Sequence, residues 1–105
     1  MVWTRFMDMH SGGRQKLDWA YIYVEADNDN AAKVFMHRFG RNPNNISCSC
    51  CGEDYSFWTE YETLEEATTY DRDDGDKLVI YAQDINPGEL VGETPRRGHL
   101  VWVED

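Results

Sequence analysis

Apolar and polar residues follow two different periods in the first part of the chain. Residues 2–7 form a short β-favouring run around Trp3 and Phe6, which predicts a first strand. Residues 17–26 alternate with a period of two and carry apolar side chains on both faces, as is typical of a strand inside a sheet. Because a loop with two glycines separates them, we expect the two strands to pair as a hairpin.

The first helix is predicted directly after the second strand. Residues 27–30 are Asp and Asn, which are preferred at helix N-caps, and Gly40 followed by Pro43 marks the end. The apolar residues between them recur at helical spacing and are expected to pack on the sheet. They are Ala31, Val34, Phe35 and Phe39.

The remainder of the chain predicts further short strands and one more helix. Strands are expected at residues 46–49, 55–61, 78–82 and 100–103, and Thr63 with Glu66 forms a capping box that opens a helix to about residue 70. The expected fold is therefore α+β. It is a single small domain, residues 1–105, with a mainly antiparallel sheet of about four to six strands and two helices packed on it.

The net charge and its distribution along the chain indicate which classes of binding partner to expect. The net charge of −10 argues against nonspecific binding to DNA or RNA, because the phosphate backbone is itself negative. Residues 1–41 carry six Lys or Arg and five Asp or Glu, whereas residues 42–105 carry four and fifteen. A small anion could therefore bind the near-neutral first part, and the acidic second part could contact a basic protein.

The chain has no long apolar segment and no basic and apolar leader. We therefore expect a protein that does not span a membrane and is intracellular.

The loop that follows the first strand is the main candidate binding site. Its cations and the paired glycines suit phosphate recognition, because guanidinium groups donate in pairs and glycine lets backbone amides converge. Phosphates would be held by Arg5, Arg14 and Lys16, with amides from Gly12 and Gly13. Asp8, His10 and Ser11 would contact ribose or base edges, and Trp3, Trp19 or Tyr21 would stack on the base. The alternative is a hairpin turn with solvated basic residues, and the loop lacks the Walker A pattern.

Three cysteines form the second candidate site. Cys48 and Cys51 have the C-x-x-C spacing of zinc ligands and are followed by Gly52. A second C-x-x-C is missing from the sequence, so further ligands would have to come from Cys50 or from distant residues such as His37, His10 or Asp8. Reduced structural thiols, or redox and disulfide chemistry, remain open as alternatives to zinc.

Residues 71–76 are strongly acidic and superficially resemble a calcium loop. They fail the EF-hand pattern because Tyr81 stands where the closing Glu would be, so a solvated turn is expected. Together with nearby glutamates they predict an acidic surface, residues 60–76, that could imitate nucleic-acid phosphates. The glutamates are Glu60, Glu62, Glu65 and Glu66.

Catalysis has little support in the sequence. Asp8, His10 and Ser11 supply an orienter, a base and a nucleophile, but residues this close along one loop seldom reach the geometry of a triad. We therefore expect a protein that is not an enzyme.

Four motifs carry a resemblance: WTRFMDMHSGG from Trp3, YIYVEA from Tyr21, RFGRNP from Arg38 and CSCCGEDYS from Cys48. With these motifs the chain resembles small uncharacterised proteins encoded by tailed bacteriophages, from residue 3 to near residue 70, while the acidic segment from Asp71 onward looks like an addition. The resemblance implies a location in the cytoplasm of an infected bacterial host. It also implies binding to a host protein or to a nucleotide that signals in host immunity.

Three functions follow as expectations. The first is a phage-encoded, non-catalytic binding protein that sequesters a small anionic ligand, a nucleotide immune signal, and so counters host defence. Such a small domain would gain pocket walls as a homo-oligomer. The second is an acidic protein–protein inhibitor that mimics nucleic acid and binds a host DNA-binding enzyme. The third is a zinc-stabilised accessory module.

Overall fold

The computed structural model describes residues 1–8, 19–27, 30–43, 45–46, 55–57, 60–69, 71, 76–92 and 101–102. The elements in chain order are β1 (Val2–Asp8), β2 (Tyr21–Ala26), α1 (Asn30–Phe39), β3 (Asn45–Ile46), β4 (Tyr55–Ser56), β5 (Glu60–Tyr61), α2 (Leu64–Thr68), β6 (Lys77–Ile80), two 3-10 helices (Ala82–Asp84 and Pro87–Leu90) and β7 (Val101–Trp102).

A mixed five-stranded sheet forms the centre of the fold. Its order is β4-β1-β2-β6, and β5 lies beside β1 as well. The predicted hairpin is present, since β1 and β2 are antiparallel from Val2 opposite Ala26 to Met7 opposite Tyr21. Strand β6 runs parallel to β2, and β3 pairs with β7 in a separate parallel pair. The expected α+β fold, with a mainly antiparallel sheet of about four to six strands and two helices packed on it, is confirmed by this five-stranded sheet and by α1 and α2.

The two helices cover opposite faces of this sheet. On the α1 face, Phe6, Ile22 and Val24 pack with the buried side of α1. On the α2 face, Trp3 and Tyr23 pack with α2 through Ala67. No helix within the described ranges is both long enough and apolar enough to cross a membrane.

Both helices begin or end at the residues that the sequence indicates. Gly40 follows α1 with a φ of 65°, a left-handed conformation that glycine adopts without steric cost. The Thr63 side chain accepts a hydrogen bond from the Glu66 amide at 3.2 Å and caps α2. Helix α2 ends at Thr68, two residues before the expected end.

The predicted strand at residues 55–61 is divided into β4 and β5. Ser56 pairs with Met7, but Glu60 pairs with Thr4, so the register along β1 shifts by one residue between the two segments. A shift of one residue moves side chains to the opposite face of a sheet. Phe57 accordingly packs on the α1 face, whereas Tyr61 packs on the α2 face.

Candidate functional site

Several chain segments meet where residues 9–18 leave β1 and return to β2. The Tyr55 amide donates to the Pro43 carbonyl at 3.2 Å, and Tyr55 pairs with Asp8 at the end of β1. The Ala20 amide donates to the Asp76 carbonyl at 2.9 Å, just before β6. We call this edge of the sheet the loop end, and it is marked by Asp8, Ala20, Pro43, Tyr55 and Asp76.

A polar cluster lies on the α2 face near the loop end. Arg5 and Tyr23 are directly opposite each other in the hairpin. The Arg5 guanidinium forms an ion pair with Asp71, and the Tyr23 hydroxyl donates to the other carboxylate oxygen of Asp71. The Asp71 side chain is 1% exposed and the Arg5 side chain 22%. Asp71 thus joins the segment after α2 to the centre of the hairpin.

Burial and hydrogen bonding shift the pKa values of Arg5 and Tyr23. Burial raises the pKa of Tyr23, and the hydrogen bond and negative charge of Asp71 raise it further. Burial lowers the pKa of Arg5, but the hydrogen bond and charge of Asp71 outweigh that effect, so the Arg5 pKa is raised. Arg5 is therefore a permanent cation, and Tyr23 stays a neutral donor at physiological pH.

The Arg5 side chain extends toward the loop end. Its Cζ lies 5.4 Å from the centroid of the Tyr21 ring, and Nη2 lies 3.3 Å from the sulfur of Met7. Met7 and Tyr21 are opposite each other at the last hairpin pair before the loop. The Nε of Arg5 is buried and has no hydrogen-bond partner among the residues that the structure describes. An arginine held in this way keeps N–H donors for a further group.

Two further cations lie at the loop end, and neither was selected from the sequence as a ligand residue. Arg41 lies two residues before Pro43, and its Nη1 is buried without a hydrogen-bond partner in the described part of the chain. Lys77 is the direct neighbour of Tyr21 in the β2–β6 pair. The sequence does indicate where Arg41 lies along the chain. Arg41 follows Gly40, and at this glycine the chain turns out of α1.

The aromatic residues predicted to stack on a base occupy three different places. Trp3 is buried near the other end of β1, where its ring meets that of Tyr81 edge-on at 5.6 Å. Trp19 packs on the α1 face, with its ring centroid 5.9 Å from that of Phe39. Tyr21 lies on the α2 face beside Arg5. The structure brings Arg5 and Tyr21 together, but it does not place Trp3 or Trp19 with them.

Several predicted site residues lie outside the described ranges. The backbone of Asp8 ends β1, and its side chain is outside those ranges. The others are His10, Ser11, Gly12, Gly13, Arg14, Lys16, Cys48 and Cys51. Among the described residues no group of three His, Cys, Asp or Glu side chains is arranged to hold a metal ion. The zinc site at Cys48 and Cys51 stays a prediction.

The described part of the predicted acidic surface contains both exposed and buried carboxylates. Glutamates 60, 62, 65 and 66 are exposed along β5 and the start of α2, and Asp76 is exposed as well. The expectation of a solvated position is wrong for Asp71, because Arg5 and Tyr23 bind its carboxylate beneath the surface. Residues 72–75 lie outside the described ranges.

Comparison of the chain with protein-family models, with curated proteins and with solved structures found no match. Fold and geometry therefore define a small α+β domain in which Arg5, Arg41 and Lys77 belong to segments at one end of the sheet, Arg5 and Lys77 in its strands and Arg41 just after α1. Function has to be argued from these side chains.

Proposed function

We propose that this chain is a non-catalytic binding protein that holds a small anionic ligand of the nucleotide class at the loop end. The supporting observation is that Arg5 Nε and Arg41 Nη1 are both buried without a hydrogen-bond partner in the described part of the chain. Buried donors are satisfied in the great majority of cases, and phosphate oxygens are strong acceptors for guanidinium groups.

The charges at the loop end favour recognition of an anion by directional hydrogen bonds over attraction by net charge. The described cations are Arg5, Arg41 and Lys77, and the described carboxylates nearby are Asp71 and Asp76. With charges this closely balanced in a chain of net charge −10, an anion gains little from the overall field. Its affinity would come from N–H groups of fixed direction, which select for the shape of a phosphate.

The ion pair with Asp71 supports this function by holding Arg5 ready for a ligand. A free arginine side chain loses rotamer freedom when it binds, at a cost of roughly 0.5 to 1.5 kcal/mol. Asp71 and Tyr21 already restrain the Arg5 side chain. Much of its rotamer freedom is therefore lost when the chain folds and not when the ligand binds. The side chain remains 22% exposed and is accessible from solvent.

The biological role in this proposal is sequestration of a nucleotide immune signal in a phage-infected bacterium. It draws on the resemblance to phage proteins and on the chemistry of His10, Arg14 and Lys16 in the sequence between β1 and β2. Tight binding without turnover needs a preorganised site and no general base.

The test begins with native mass spectrometry of the chain purified from bacteria with active nucleotide-signalling defences. Denaturing the same sample releases any bound molecule for identification. We expect a stoichiometric nucleotide in the released fraction. A spectrum that shows protein alone, from cells in which the signal is verified, would count against the function.

Variants then locate the site. Removing one charged hydrogen bond costs about 1.5 to 3 kcal/mol, so Arg41→Ala and Arg14→Ala should each weaken nucleotide binding by roughly 10-fold or more. Lys33→Ala removes the same charge from α1 and is the matched control, with unchanged affinity expected. Equal affinity in all three variants, with unchanged melting temperatures, would refute binding at the loop end.

A second function is supported by a separate observation. The glutamates exposed along β5 and α2 suit an acidic inhibitor that binds a basic, DNA-binding host enzyme. Glu65→Lys should abolish capture of such an enzyme at low salt, and Asp84→Lys, an equal charge change at another exposed site, should not. Loss of capture in both variants would indicate nonspecific charge attraction.

A further inference from the structure

A shallow apolar depression lies at the end of the sheet opposite the loop end. Its volume is about 100 Å³, and its apolar lining is Met1, Ala26, Ala82, Ile85 and Leu90. Two of these lining residues, Met1 at 72% and Leu90 at 38%, are among the exposed large hydrophobic residues of the described ranges, and the exposed Val91 follows Leu90 directly. Exposed apolar residues grouped in this way mark an interaction surface.

Acidic groups lie at the edge of this apolar depression. Glu25 and Asp27 both line it. Asp27 lies 3.5 Å from the amino group of Met1, but the two side chains are 58% and 52% exposed, so solvent screens this pair. Glu25 Oε1 accepts a hydrogen bond from the Ala82 amide at 3.1 Å, which fixes one wall of the depression. The edge thus has the two carboxylates of Glu25 and Asp27 against the one amino group of Met1, and this excess of negative charge favours a cationic neighbour.

The wall formed by the 3-10 helices is held in place by an ion pair between the partly exposed Arg38 and the buried Glu89. Arg38 Nε lies 3.1 Å from both carboxylate oxygens of Glu89, and the Glu89 side chain is 4% exposed. Arg38 Nη2 also donates to the Asp84 carbonyl at 2.7 Å. These contacts attach both 3-10 helices to α1, so the depression is formed before any partner arrives.

We propose that the apolar depression is a docking site for a protein segment that carries one aliphatic side chain flanked by Lys or Arg. The small volume and the apolar lining suit one aliphatic side chain. The carboxylates of Glu25 and Asp27 bind the flanking cations and disfavour an acidic segment. This docking site lies apart from the loop end and does not depend on anion binding.

The first experiment is an NMR titration of the full chain with three short peptides. One peptide has a central Leu between pairs of Lys, the second has Ser in place of Leu, and the third has Glu in place of Lys. We expect saturable shifts at the amides of Asp27, Ala82 and Leu90 with the first peptide, at a dissociation constant on the order of 1 mM. The other two peptides should bind at least about 10-fold more weakly.

Variants of the chain separate the apolar and charged contributions. Leu90→Ser should weaken the Leu peptide about 5-fold or more, and Asp27→Asn should weaken it about 3-fold. Glu62→Gln, which removes an exposed carboxylate elsewhere, is the matched control and should have no effect. All three positions are exposed, so melting temperatures should be unchanged.

Three outcomes would overturn the assignment. Equal binding of the Ser peptide would show attraction by charge alone, and equal binding to Leu90→Ser would place the contact elsewhere. Self-association in sedimentation equilibrium that Leu90→Ser abolishes would make a second copy of this chain the occupant.

Discussion

The two faces of the central sheet are built on different principles. The α1 face is apolar, with the Phe6 ring stacked 4.6 Å from that of Phe35 and 5.3 Å from that of Phe57, beneath a ten-residue helix. The α2 face has a five-residue helix and contains an ion pair and a tyrosine hydroxyl on a buried carboxylate. One sheet therefore separates an apolar core on the α1 face from a smaller hydrophobic cluster on the α2 face that also contains a buried carboxylate.

Because of this difference, the two faces contribute differently to the stability of the fold and to the orientation of polar side chains. Burial of aromatic and aliphatic side chains stabilises the folded state without demanding one exact geometry of polar atoms. A buried ion pair contributes little net stability because desolvation opposes it, yet it holds its partners in one arrangement. We therefore expect the α1 face to dominate the free energy of unfolding and the α2 face to set the orientation of Arg5.

The largest effect is expected from opening the α1 face. Phe35 is fully buried and contacts the rings of Phe6, Phe39 and Tyr55. Phe35→Ala should lower the free energy of unfolding by about 3 to 5 kcal/mol, measured by urea denaturation, because it leaves a cavity among these rings. His37→Ala, at an exposed position of α1, should change it little. If Phe35→Ala lowers the free energy of unfolding by less than about 1 kcal/mol, the α1 face does not dominate stability.

The next effect comes from the polar cluster. Asp71→Asn removes the counter-charge of Arg5 and should cost about 2 to 4 kcal/mol, somewhat less than a fully buried pair because Arg5 is partly exposed. Replacing the whole cluster, with Arg5→Met, Tyr23→Phe and Asp71→Leu together, should cost less than Asp71→Asn alone. If the triple variant is the less stable of the two, the ion pair itself stabilises the α2 face.

The third prediction concerns pH. The pKa of Tyr23 is raised in the folded state, so this tyrosine contributes stability that is fully present below its unfolded pKa of about 10. Above that pH the contribution should fall by about 1.4 kcal/mol per pH unit, because the unfolded chain loses the proton first. Urea denaturation of wild type and Tyr23→Phe between pH 8 and about 11 measures the difference. A constant difference across that range would contradict the assignment.

The smallest effect tests Thr4, a buried polar side chain of β1 on the α1 face. Thr4 is fully buried, and its Oγ1 has no hydrogen-bond partner in the described part of the chain. Thr4→Val keeps the shape and removes the hydroxyl, so it should raise the free energy of unfolding by about 0.5 to 1 kcal/mol. Thr4→Ser, which keeps the hydroxyl and removes the methyl group, should be destabilising. A destabilised Thr4→Val would mean that the hydroxyl is satisfied.

Local patterns predicted much of the fold. The Asp and Asn residues before α1, Gly40 after it, and Thr63 before α2 all correspond to observed helix ends, because capping depends on residues a few positions apart. The hairpin was predicted for the same reason. The division of residues 55–61 into two strands was not, because regular alternation places Phe57 and Tyr61 on one face while their pairing with β1 sets them on opposite faces.

The candidate site was predicted less completely. Arg5 and Tyr21 were selected for their chemistry near the loop, and they do meet. Asp71 was expected in solvent, and nothing in its neighbourhood along the chain indicates a partner, since Tyr23 lies 48 residues away. Trp3 was predicted to belong to the binding loop. In the structure it lies four residues before Met7 along β1 and therefore far from the loop end.

By itself, the sequence determined the α+β class, the hairpin and α1, because these depend on short-range periodicity, caps and turns. Only the tertiary structure decided that β6 runs parallel to β2 and that Asp71 binds Arg5 and Tyr23. It also decided that Arg41 comes to the loop end, where Pro43 bonds to Tyr55. Such contacts join residues distant along the chain, and their free energy depends on burial that no local pattern encodes.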